Sequence, residues 1–142
     1  MINQEKYNDA VKNYTEGFTH KAKHLCSEIL QEKHDHADTL HLLAVITNDM
    51  NDHEKAFRLI QKTICLNPNN PQYYNTLGLV YANMGKHTDA ICAYKTAIDI
   101  YPEFAQAHFN MGKAYFEINM IESSIQCYQQ AQIGRASCRE RV

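Results

Sequence analysis

The sequence predicts an all-α fold, an α-solenoid of about four stacked antiparallel helix pairs. Three observations carry that expectation. The chain repeats itself with a period of 34 residues. Between the repeat markers, apolar residues recur three and four places apart, the spacing of one helix face. The 142 residues include only five Gly and three Pro, with 44% hydrophobic content, which suits a folded and mostly helical chain.

Written in blocks of 34 that begin at Asn3, Ala37, Pro71 and Ala105, the columns agree. The eighth place holds Ala10, Ala44, Gly78 and Gly112, and the twentieth Ala22, Ala56, Ala90 and Ser124. Small side chains there let two helices approach closely. The fifteenth place holds Gly17, Asn51, Gly85 and Asn119, residues that tolerate a left-handed turn between the helices of one block. Near the block ends stand His34, Pro68 and Pro102, and proline stops a helix because it lacks an N–H and clashes with the turn before it. Asn70 followed by Pro71 reads as a cap and first-turn pair. Tyr74, Leu77, Gly78 and Tyr81 share one face of the third block's first helix; Ala90, Tyr94, Ala97 and Ile98 share one face of its second. Each block is thus a helix pair, and neighbouring pairs must stack to bury these faces.

These markers resemble the tetratricopeptide repeat. PQYYNTLGLVYANMGKHTDAICAYKTAIDIYPEF, residues 71–104, looks like a complete unit. Residues 37–70 are similar, with Thr47 in place of a large side chain. Residues 105–132 follow the pattern and then stop short of a full unit. Residues 3–36 depart most: Asp9 and Asn13 stand in columns that are normally apolar, and His34 replaces Pro, as expected of a terminal unit with a wetter outer face. The resemblance implies a right-handed superhelix and a module that binds a protein or extended peptide partner in its concave groove, which the first helix of each pair lines.

The second, sixth, ninth and thirteenth places of each first helix project together, with the fifth and twelfth beside them. The candidate groove residues are therefore His41 and Asn48, then Gln72, Asn75 and Asn83, then Gln106, Phe109, Asn110 and Lys113. Amides dominate, and an amide can both donate to and accept from a peptide backbone. The clamp that some members of the family use for a C-terminal carboxylate needs paired Lys, Arg and Asn. Here Tyr7, Val11, Leu42, Gln72 and Thr76 hold the corresponding places, so that ligand is not expected.

Little else in the chain points to chemistry. No GxSxG, HExxH, Walker or dinucleotide pattern occurs, so neither a catalytic site nor a cofactor is expected. His34, His36 and His41 form the densest histidine group, but without the ligand number and spacing of a metal site they read as loop and helix-face residues. Tyr74, Tyr81, Tyr94, Tyr115 and Tyr128 fall on packing columns rather than on a base-stacking surface. Cys26, Cys65, Cys92, Cys127 and Cys138 are odd in number and never form a CxxC pair, which reads as reduced thiols. The opening MINQEKYNDAVKNY lacks the apolar core of a secretory signal, and no stretch reaches membrane-spanning length. A cytoplasmic location with no membrane partner follows as an expectation.

The net charge is −2, and residues 1–132 alone carry 11 basic against 15 acidic side chains, or −4. An acidic body is a poor match for phosphate backbones, so no nucleic-acid partner is expected. Ile133–Val142 reads IGRASCRERV, holds three of the four arginines, and breaks the columns after Gln132. The string resembles the translation of a common short-read sequencing adapter and is expected to lie outside the native chain. The outer apolar face of the last block, with Ile125 and Tyr128, would then lack a capping helix, which leaves room for self-association.

A second resemblance is to the repeats that precede the catalytic domain in O-linked N-acetylglucosamine transferases. It implies a substrate-holding region whose glycosyltransferase domain would follow Gln132. That family places Asn at the sixth position. Asn110 matches, Leu42 and Thr76 do not, and Asn75 stands one place early.

Overall fold

The computed structural model describes residues 2–140. Among them are eight helices and no strand: α1 (Ile2–Thr15), α2 (Thr19–Glu32), α3 (Ala37–Asp49), α4 (His53–Leu66), α5 (Pro71–Asn83), α6 (His87–Ile100), α7 (Ala105–Glu117) and α8 (Ile121–Glu140). The fold is all-α, as predicted, with one helix pair in each block. The chain forms two compact units, Met1–Pro68 and Asn69–Val142.

The fifteenth-place residues make the turns within the pairs. Gly17, Asn51, Gly85 and Asn119 have φ of 88°, 64°, 76° and 63°. In each turn the next residue's N–H reaches back five places, from Phe18 to Asn13, Asp52 to Thr47, Lys86 to Tyr81 and Met120 to Tyr115, at 2.8 to 2.9 Å. This is the Schellman closure, which satisfies carbonyls that the helix end leaves open.

Helix starts follow their caps. Asn70 accepts from the Gln72 N–H ahead of Pro71, Asp52 accepts from that of Lys55, and His36 accepts from that of Thr39. The ends of the second helices hold a surprise. α2 stops at Glu32 with an extended Lys33, just as α4 and α6 stop before extended Asn67 and Tyr101, although His34 stands where the others have Pro. Lys62 Nζ donates to the His34 carbonyl at 2.9 Å, so a side chain holds this end in place of the missing ring.

In the first unit the core joins Ala10, Ala22, Cys26, Leu42, Leu43 and Ile46, with Tyr7, Tyr14 and Leu59 packed against them. Asn13 turns its amide to the Asp9 carbonyl at 2.7 Å. In the second unit one cluster joins Ala90, Ile91 and Tyr94 to Met111, Ala114 and Cys127, and another joins Ala97 to Phe104 and Ala107. The small eighth-place residues have a specific partner here. The ring of Tyr94 lies over the Cα of Gly78, and that of Tyr128 over Gly112. Ser124 Oγ donates to the Gly112 carbonyl at 2.8 Å, so the twentieth place is also tied to the eighth by a hydrogen bond.

α8 runs unbroken past Gln132, and Gly134 is buried with its Cα against the Glu103 carbonyl and Ala105. None of the described helices is long and apolar enough to cross a membrane.

Candidate protein-interaction site

In the first unit, α3 carries His41 and Asn48. Burial pushes the His41 imidazole down to about 4, against the opposing pull of the Asp38 carboxylate. Asn48 is 7% exposed, and its Oδ1 lies 2.8 Å from His53 Nδ1, which donates to it. His36, of the histidine group, serves as the α3 cap, with Nδ1 2.6 Å from Thr39 Oγ1. Among the described residues no three His, Cys, Asp or Glu side chains converge on a point a metal ion could occupy.

The second unit brings α5 and α7 side by side. Asn110 Nδ2 donates to Asn75 Oδ1 at 3.1 Å, and both residues are 5% exposed. Gln106 Nε2 reaches Asn110 Oδ1 at 3.5 Å. The two asparagines therefore spend their amides on each other and sit beneath the surface. Asn75 stands one place early relative to Asn110, and that offset is what lets the two meet.

Gln72, Asn83, Gln106 and Lys113 remain exposed. A cleft of about 180 Å³ gathers Asn83, Asn110 and Lys113 of the predicted set, together with Leu79, His87 and Glu117. Leu79 and Tyr94 give it an apolar floor, while Asn83, Lys113 and Glu117 supply a donor and acceptor rim. Phe109 lies elsewhere: its ring is tilted against Tyr128 at 5.5 Å, with Lys113 Nζ 6.0 Å from its centroid.

His87 was missed by sequence reasoning. It stands in the column of His53, but Ala82 occupies the column of Asn48, so the acceptor that holds His53 is absent and His87 Nδ1 is buried without a partner. Comparing the two histidine columns together with their partner columns would have found it.

Two of the thiols, Cys26 and Cys127, are buried. Burial pushes Cys26 up to about 12, and burial also raises Cys127, with Lys95 pulling the other way. Both are protonated at neutral pH, so neither is a thiolate nucleophile.

Residues 59–91 match the family model described as tetratricopeptide repeat, and residues 83–119 match that described as TPR repeat. The chain carries tetratricopeptide repeats. It is 32% identical over 78 residues to the small glutamine-rich tetratricopeptide repeat-containing protein 2 of Mycosarcoma maydis, a stretch covering 55% of this chain and 22% of that protein. The chain thus spans less than a quarter of the length of the curated relatives it matches. Among solved structures, MamA superposes with a TM-score of 0.84 at 22% identity, over 97% of this chain and 81% of that one. The Thermobaculum terrenum O-GlcNAc transferase superposes with a TM-score of 0.78 at 22% identity, over 80% of this chain and 22% of that one. At such identities the two likenesses carry the fold alone. Tetratricopeptide repeats make this chain an interaction scaffold.

Proposed function

We propose that the α5–α7 face of the second unit binds an extended segment of a protein partner without catalysing a reaction. The cleft at Asn83 and Lys113 is the observation that carries this reading. It pairs an apolar floor with exposed donors and acceptors, which is what a peptide backbone with an occasional apolar side chain requires. Contact falls to Gln72, Asn83, Gln106 and Lys113, at the surface.

A random peptide library displayed on phage and selected on the whole chain tests the proposal. Selected peptides should lose about tenfold or more in affinity when Lys113→Glu and Asn83→Ala are combined. Replacing His34, far from the cleft in sequence and on a loop, should leave affinity unchanged. Peptides indifferent to the double variant would sink the assignment.

A further inference from the structure

His20, His24 and Glu28 stand four places apart along α2, so each neighbours the next across one helical turn. Both histidines are exposed, His24 with 74% of its side chain open to solvent. His24 Nδ1 lies 3.2 Å from Glu28 Oε1. The Nδ1–H of the neutral ring donates to that carboxylate, which leaves the Nε2 lone pair free on the far side of the ring. Glu28 is itself held from α1: Lys6 Nζ stands 3.9 Å from its Oε2 and 3.1 Å from Glu32 Oε1.

The second block shows that side chains at these places can meet. Glu54 and Arg58 of α4 stand in the columns of His20 and His24, and their charged ends approach to 3.8 Å. The same columns hold Thr88 and Cys92 in the third block and Glu122 and Gln126 in the fourth. The histidine pair is therefore a feature of the first block and owes nothing to the repeat pattern.

We propose that His20 and His24 chelate one divalent cation of the late first transition row, with water in its remaining positions. Imidazole nitrogen suits zinc, copper and nickel, whereas magnesium and calcium prefer oxygen. Glu28 does not touch the ion. It binds the second nitrogen of a ligating ring, which fixes the tautomer and raises the basicity of the donor atom. Two protein ligands are fewer than a closed structural zinc centre has, so the ion comes and goes. The dipole of α2 opposes a cation at this end, and the nearby Glu28 carboxylate offsets it. The ion ties the first turn of α2 to the second, at a helix start where Phe18 supplies no side-chain cap. The site belongs to the first unit and does not depend on what the Asn83–Lys113 cleft binds.

Titration with Ni2+ tests the site, on the whole chain carrying Cys65→Ser, Cys92→Ser and Cys138→Ser so that thiolates do not compete. Calorimetry should show saturable Ni2+ binding and none of Mg2+. His20→Gln and His24→Gln should each weaken it about tenfold or more, and Glu28→Gln about tenfold with both ligands kept. Paramagnetic broadening of backbone amide signals should centre on residues 19–28. The urea midpoint should rise with Ni2+ in the parent and not in His24→Gln. Circular dichroism verifies that each variant folds. Affinity unchanged in either histidine variant, or broadening centred on another histidine such as His34, overturns the proposal. Unchanged affinity in Glu28→Gln overturns the part given to Glu28.

Discussion

The ring of Tyr94 fills the space that a side chain at residue 78 would take, with Cδ1 2.6 Å and Cζ 2.7 Å from the position of a Cβ there. Tyr94 is 1% exposed. A helical Gly→Ala change ordinarily stabilises by about 1 kcal/mol. Here overpacking reverses the sign, and Gly78→Ala is expected to destabilise by about 2 kcal/mol in urea denaturation. At Gly112 the crowding ring is that of half-buried Tyr128, 2.8 Å away, which can swing outward. Gly112→Ala should be close to neutral. Adding Tyr94→Leu to Gly78→Ala should recover part of the loss, which would trace the effect to the ring.

The four left-handed turns offer a graded series. Gly85 at φ 76° has open space around its Cα, so a side chain there is opposed by backbone conformation and not by a clash. Gly85→Ala is expected to cost about 1 kcal/mol, and Gly85→Asn less, because Asn tolerates this region. Asn51→Gly and Asn119→Gly should be neutral or stabilise by a few tenths, about 0.5 kcal/mol at most. Equal effects of Ala and Asn at residue 85 would contradict the assignment.

What could be read in advance follows from how local each constraint is. The turn residues, the Asn70–Pro71 start and the small eighth-place residues answer to backbone or column rules, and all were legible. His34 was not. Proline explains why α4 and α6 end, but α2 ends at the same place through its extended Lys33 and the reach of Lys62, which is a tertiary contact. Which residues share a first-helix face was legible, and less so the contacts they make. Asn75 and Asn110 share a face with Lys113, yet they bond across repeats at a spacing of 35 instead of 34, which a column comparison hides. His87 escaped because its peculiarity is a missing partner.

Tyr14 Oη donates to Asp49 Oδ2 at 2.6 Å, tying α1 to α3. Burial, then the hydrogen bond and charge of Asp49, push the phenol up to about 12. The folded protein thus holds the proton more tightly than the unfolded chain, whose tyrosines titrate near 10. This stabilisation is complete below pH 10 and fades as pH rises from 10 toward 12. Tyr14→Phe should cost about 1 kcal/mol at pH 7. Across that alkaline window the gap between the two proteins should narrow, as guanidinium denaturation at pH 8, 10 and 11 would reveal.

His41 runs in the opposite direction. Its folded value near 4 lies below the ordinary 6.5, so the unfolded chain binds the proton first on acidification. The contribution is complete above pH 6.5, falls as pH drops toward 4, and levels off below that. His41→Gln keeps a polar side chain without the titration. Relative to that variant, the parent protein should lose on the order of 2 kcal/mol between pH 7 and pH 4, less than the full shift implies because the ring is only partly covered. Urea denaturation of both proteins at several pH values measures this difference, and the other seven histidines cancel from it. Parallel stability curves for the two proteins would mean that the His41 ring is solvated and free to take up its proton in the fold, which would return it to the exposed surface that a binding partner can reach.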